Sequence, residues 1–217
     1  VLYTKDMLDR KPVRFLLSLV IVTVAAGIGG AVTYPSIQGW YAELDKPFFN
    51  PPNWVFGPVW ALLYFLMAVS LYLVWSARTK RSRRLAFWAF GGQLALNVAW
   101  SAVFFGLHQL WLAVGVVLAL WLAIALTIGA FWRIQRIAAY ILIPYLAWVT
   151  FASALTISVA LLNAGSEAND YKACTRATGS TLQLSYPEVC VTPDGRRFPN
   201  PDAPVDFHVL DSLRIPE

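Results

Sequence analysis

The chain has 217 residues, 58% of them hydrophobic and 13% charged, with mean hydropathy +0.57 and a formal net charge of +5. A soluble domain this apolar needs its charges spread along the chain. Here they fall in short islands, which excludes an ordinary soluble domain and points to a membrane protein.

Lys5, Arg10, Lys11 and Arg14 precede the first charge-free run, Phe15–Tyr34. About 20 residues cross a bilayer as a helix. The run meets that length and no A-x-A-like site follows it, so it is expected as a span rather than a cleaved signal peptide. Four more charge-free runs follow: Trp54–Ala77, Leu85–Phe105, Leu110–Trp132 and Ile137–Leu162. Helices satisfy their own backbone groups, so the expected fold is an all-α integral membrane bundle of five transmembrane helices. An odd number of spans puts the two termini on opposite sides. Arg78, Lys80, Arg81, Arg83 and Arg84 follow the second span, and Arg133 and Arg136 separate the fourth from the fifth. The opposite links carry only Lys46, so the amino terminus is expected in the cytoplasm. This placement of the basic residues also argues against nucleic acid and for contact with anionic lipid headgroups.

Between the first two spans lies W-Y-A-E-L-D-K-P-F-F-N-P-P-N-W-V-F-G-P-V-W, Trp40 to Trp60, with three tryptophans and four prolines. Those prolines fix φ and remove amide donors, so the stretch is neither strand nor ordinary helix interior. Trp40, Tyr41, Lys46, Pro47, Pro51 and Pro52 are expected to form a constrained lid over the bundle, with a helix beginning near Trp54. An interfacial loop with aromatic anchors is the alternative.

On the third span Gly91, Ala95 and Ala99 recur every fourth residue, as do Gly27 and Ala31 on the first. Such faces serve close packing within one chain or a homodimer alike. Gln93, Asn97 and Ser101 share another face and should turn to protein or cavity. Pro144 should break the fifth helix and free a carbonyl for a neighbour to satisfy. No catalytic set stands out: His108 and His208 have no partner at motif spacing, all carboxylates lie outside the spans, and no metal motif occurs. Trp54, Trp60, Trp100, Phe104, Phe105 and Trp148 are candidates for lining an inter-helix cavity for a flat apolar ligand such as a porphyrin, with Gln93, Asn97, Ser101 and Tyr64 as polar handles. Core packing or interfacial anchoring is open for any one tryptophan.

Residues 1–164 are thus expected as the membrane domain and 165–217 as a polar, proline-rich extramembrane tail. Asp194-Gly195 is expected as a tight turn. Cys174 and Cys190 are the only cysteines and fall on the predicted outer side. A disulfide between them suits an oxidising compartment such as a periplasm, two free thiols being the alternative.

W-Y-x-x-L-x-K-P-x-x-x-P-P before a tryptophan, Q-L-A-L-N-V-A-W-S-A-V-F-F-G from Gln93 to Gly106, and P-Y-L-A-W-V-T-F-A-S-A-L from Pro144 to Leu155 resemble, in order and spacing, the tryptophan-rich sensory protein or translocator protein (peripheral benzodiazepine receptor) family. The resemblance covers about Val13 to Asn163. It implies binding of porphyrins, haem-pathway intermediates or benzodiazepine-type ligands in a pocket beneath the first loop. Carried over by position, that pocket holds Trp54, Trp100, Phe105, Trp148, Ala152 and Leu155. The family's disputed porphyrin breakdown would fall to Trp60 and Trp148. Two departures stand out: Leu155-Thr156 replaces the usual Leu-Asn, and Ile157 to Asn163 lacks the cholesterol-recognition tyrosine and basic residue.

The leading expectation is a receptor or sensor in a bacterial inner membrane, with a periplasmic tail, that binds porphyrin or haem in a pocket of Trp54, Trp60, Gln93, Asn97, Trp100, Phe105, Trp148, Ala152 and Leu155. Its expected partners are membrane lipid, the tetrapyrrole, and a second copy or a larger complex reached through the tail. The alternatives are an accessory subunit of a photosynthetic or respiratory complex and a porphyrin-degrading enzyme.

Overall fold

The computed structural model describes residues 11–163, 174–175, 179–183, 189–193, 195 and 197–199. His208, Lys5 and Arg10 lie outside the described residues. The chain forms two compact units, Val1–Leu162 and Asn163–Glu217.

In the first unit five helical stretches are long and apolar enough to cross a membrane. They are α1 (Lys11–Ile37), α3 (Asn53–Ser76), α4 (Arg84–Ser101) with a π-helical turn at Ala102–Gly106, α5 (Leu110–Trp132), and the broken pair α6 (Arg136–Ile141) and α7 (Ile143–Leu162). A single turn, α2 (Trp40–Glu43), follows α1. The spans run apolar almost all round, and large side chains such as Leu16, Val24, Leu118, Leu122 and Leu126 stand exposed on the outside. In water that would be costly, but it is what a lipid-facing helix presents. The first helix begins before its charge-free run, because Lys11 and Arg14 can snorkel from a first turn, and continues to Ile37.

The spans alternate in direction, so the bundle has a basic end and a lid end. α1 packs on α3 and α4, α4 on α5, α5 on α7, and α3 on α6. At the basic end the packing is closed. Phe90 stacks on Phe131 with centroids 5.9 Å apart, and Phe15 meets Tyr72 edge-on at 5.5 Å. Arg81 Nη1 donates to the Arg133 carbonyl at 2.7 Å, tying the two basic links together.

The fifth span breaks where Pro144 predicts. Leu142 N–H turns to the Ala139 carbonyl at 3.1 Å, which leaves the Ala138 carbonyl without its usual donor. Ser70 Oγ on α3 donates to it at 2.8 Å. The freed carbonyl is therefore satisfied by a neighbouring span, as backbone in lipid requires.

The second unit holds a three-stranded antiparallel sheet in the order β1 (Thr181–Gln183), β2 (Val189–Val191), β3 (Arg197–Pro199). Leu182 and Phe198 both pair across Cys190 of the middle strand. Cys190 is fully buried and bonded to Cys174, with Cα atoms 5.9 Å apart. Gly195 sits at φ +83°, in the left-handed region, and its N–H closes a turn on the Thr192 carbonyl at 2.9 Å. The sheet was not expected from the polar, turn-rich sequence.

Candidate functional site

The lid is a cross-braced piece of chain rather than a loose loop. After α2 the chain turns extended at Leu44, and Lys46 Nζ reaches back to donate to the Ala42 and Leu44 carbonyls, each at 3.0 Å. The ammonium also lies 4.9 Å from the centre of the Tyr41 ring. Burial lowers the Lys46 pKa from its ordinary value, opposed by nearby Asp45, and burial raises that of Tyr41. Tyr41 Oη donates to Asn50 Oδ1 at 3.0 Å, joining the two sides of the lid, while Asn50 N–H turns back to the Pro47 carbonyl at 2.9 Å. Pro51 and Pro52 then lead directly into α3 at Asn53.

Aromatic stacking fixes this lid to the far end of the third span. Trp40 lies 4.2 Å from the His108 ring, nearly parallel, and meets Phe104 edge-on at 5.6 Å. His108 adopts φ +57°, the strained left-handed region, as the chain reverses into α5. The π turn that precedes it closes through Leu107 N–H to the Ala102 carbonyl at 2.8 Å. Such turns gather at functional sites, where the extra residue re-aims side chains. Here Phe104 and Phe105 both reach the cavity below the lid, and Ser36 Oγ donates to the Phe105 carbonyl at 2.7 Å.

That cavity measures about 360 Å³, within the range of small-molecule sites. Trp54, Trp60, Trp100, Phe105, Trp148, Ala152 and Leu155 all line it. Of the lid residues singled out from sequence, Tyr41 alone contributes wall; Trp40, Lys46, Pro47, Pro51 and Pro52 hold the lid in shape. Among the described residues, no Lys, Arg, Asp, Glu or His lies in the wall.

Gln93 and Asn97 differ from their expected role as polar handles, since neither lines the cavity. Both are spent on a buried network beneath it. Tyr64 Oη donates to Asn97 Oδ1 at 2.6 Å, Asn97 Nδ2 to Tyr145 Oη at 3.1 Å, and Tyr145 Oη to Gln93 Oε1 at 3.0 Å. Of the four handles, Tyr64 and Ser101 do reach the wall. Thr156, the departure from the usual asparagine, also lines it, but its hydroxyl donates to the Ala152 carbonyl of its own helix at 2.8 Å. Sequence reasoning missed the first span's share of the wall, from Ala26 through Gly29, Gly30 and Thr33 to Tyr34. Adjacent glycines beside a threonine on an apolar helix were the available signal.

Two groups in the wall are left wanting. The indole N–H groups of Trp100 and Trp148 are buried and have no acceptor. Leaving such a donor unmet costs about 1–3 kcal/mol, so an unexplained pair calls for a partner. An apolar, aromatic cavity with two unmet donors suits a flat ligand bearing acceptor atoms.

The profile of the TspO/MBR family matches residues 17–162. The chain belongs to the TspO/MBR family. It is 42% identical over 150 residues to the tryptophan-rich protein TspO of Archaeoglobus fulgidus, covering 69% of this chain and 97% of that protein. It is 38% identical over 150 residues to protein CrtK of Rhodobacter capsulatus, covering 68% and 91%. With the human translocator protein the identity is 39% over 144 residues, covering 63% and 85%. The five apolar spans and this family membership make it an integral membrane protein. The TspO/MBR match contains the lid and every cavity residue named above, and ends just before the second unit.

Proposed function

We propose that this protein is a membrane receptor or sensor that binds porphyrins, haem or related tetrapyrroles in the lid-end cavity and moves or regulates them. The observation that carries this is the pair of unmet indole donors, Trp100 and Trp148, in an aromatic cavity without charged side chains. A macrocycle stacks on such rings, and acceptor atoms of the ring can take up the indole donors. The names of the relatives, sensory protein and translocator protein, fit a binding role. Titration of the purified protein with protoporphyrin, followed by tryptophan quenching, tests it. Saturable quenching that weakens in Trp100→Phe and Trp148→Phe supports the proposal. Non-saturable quenching in the folded protein rejects it.

Orientation follows from charge. Lys11, Arg14, the Arg78–Arg84 island, Arg133 and Arg136 crowd one end of the spans, against Lys46 at the other. The basic end is placed in the cytoplasm and the disulfide-bearing tail in the periplasm of a bacterial inner membrane. Labelling of Phe48→Cys by an impermeant thiol reagent in intact spheroplasts checks this, and labelling only after lysis contradicts it.

A second role rests on the tail. A disulfide-closed sheet beyond the family match favours a protein partner, as in an accessory subunit of a larger membrane complex. Migration only as monomer or homodimer after mild-detergent extraction would remove that role. Porphyrin breakdown is the weaker alternative: Trp60 and Trp148 share the cavity, but sustained turnover lost in Trp60→Phe and Trp148→Phe would be needed to establish it.

A further inference from the structure

The cavity is open on one side, and the exposed wall residues mark where. They are Gly30 and Tyr34 on α1, and Asn53, Trp54 and Gly57 on α3. All five flank the seam between the first two spans. Tyr34 is 77% exposed and Trp54 74%. By contrast, Tyr41, the lid's contribution, is 5% exposed, and the wall residues on α4, the π turn and α7 are buried or half-buried. The opening therefore lies at the side of the bundle and not under the lid, which is braced shut by Lys46, Asn50 and the Trp40–His108 stack.

The seam has depth. Gly30 lies four residues before Tyr34 and Gly57 four after Asn53, so each sits about 6 Å further into its span at 1.5 Å per residue. A Cβ built on either glycine meets no atom within 4 Å. Both glycines line the cavity, and each has open space where a side chain would stand. Tyr34, Asn53 and Trp54 stand at the level where aromatic and polar side chains meet headgroups.

We propose that the cavity is loaded sideways, from the lipid leaflet at the lid end, through the slit between α1 and α3. The inference rests on the tetrapyrrole reading above and narrows it to ligands already dissolved in the membrane. With no charged side chain among the described wall residues, ionised groups have no counterpart there. A planar ring with its acids along one edge settles in a leaflet with the ring among acyl chains and the acids at the headgroups. In that pose it meets the slit ring-first, and its acids stay level with Asn53 and Trp54.

The test uses full-length protein in phosphatidylcholine vesicles and protoporphyrin IX carried in the lipid. Association is followed by stopped-flow tryptophan quenching, and dissociation by dilution into empty vesicles. In Gly30→Leu/Gly57→Leu both association and dissociation slow by about tenfold or more, because a narrowed route hinders both directions. Each single variant gives an intermediate slowing. Gly27→Leu, an exposed site on the same helix that does not line the cavity, keeps both wild-type rates. Wild-type rates in the double variant with binding still saturable overturn lateral entry. So does a loss of affinity through faster dissociation alone, which would make the glycines part of the bound pose. If the wild type shows no saturable quenching, the tetrapyrrole reading has failed, and lateral entry falls with it.

Discussion

The two ends of the membrane unit are built from the same five spans but solve different problems. At the basic end the helices close on one another through Phe90 on Phe131 and Phe15 on Tyr72. A broken helix there has its freed Ala138 carbonyl answered by Ser70. At the lid end the spans part around about 360 Å³, a π turn aims two phenylalanines inward, and two indole N–H groups go without acceptors. Between the ends lies the Tyr64–Asn97–Tyr145–Gln93 network, whose Tyr64 is the one member in the cavity wall. The contrast teaches that what sets the lid end apart is where its unmet groups lie: Ser76 Oγ and Arg83 Nε at the basic end also lack partners but do not line the cavity, whereas the two indoles do. Functional sites commonly break local rules that the rest of a fold obeys.

Substitutions at each end should separate the two. Phe131→Ala at the closed end should lower stability by about 3 kcal/mol, since a fully buried ring leaves a void that its neighbours only partly fill. Thermal unfolding in detergent reads this, with protoporphyrin affinity little changed while the protein is folded. Losing the disulfide through Cys174→Ser should cost the tail about 3 kcal/mol and leave the cavity's affinity alone. Proteolysis confined to the tail is the readout, and a fall in porphyrin affinity would refute that independence.

Trp148→Phe and Trp100→Phe should act in opposite senses on the two properties. Each removes an unmet buried donor, so the ligand-free protein should gain up to about 1 kcal/mol in thermal unfolding while binding weakens about tenfold. A loss of both would mean the indoles are simply packing.

The smallest effect concerns the lid. Because burial lowers the Lys46 pKa, the folded lid holds fewer protons than the open one between that lowered value and the ordinary lysine value. Lid closure should therefore strengthen as pH rises through that window and be flat below it. The mobility of a spin label on Phe48→Cys, at the fully exposed lid tip, should fall accordingly, and Lys46→Met should abolish the change.

Much of this was legible in the sequence, for physical reasons. Charge-free runs of bilayer length mark helices because lipid permits little else, and Pro144 marks the break because it lacks a donor. Trp54, Trp100 and Trp148 were singled out together only through the three motifs of the family resemblance. Periodicity placed Gln93 and Asn97 on an inward face but could not say what they met there. The Tyr145 hydroxyl, 48 residues from Asn97 and 52 from Gln93 in sequence, claimed both. Gly30 and Gly57 were silent because a small residue reads alike as close packing or as open space. The tail's sheet was hidden because three-residue strands are too short to show a period of two.

The most direct measurement is circular dichroism in the porphyrin's own absorption band on titration into purified protein. A ring held in the chiral, aromatic lid-end cavity acquires a signal that a ring dissolved in detergent does not. The account predicts a signal that saturates at one porphyrin per chain and is lost in Ala152→Phe, which fills the cavity from α7. No signal in folded wild-type protein, or one that survives Ala152→Phe, would contradict it.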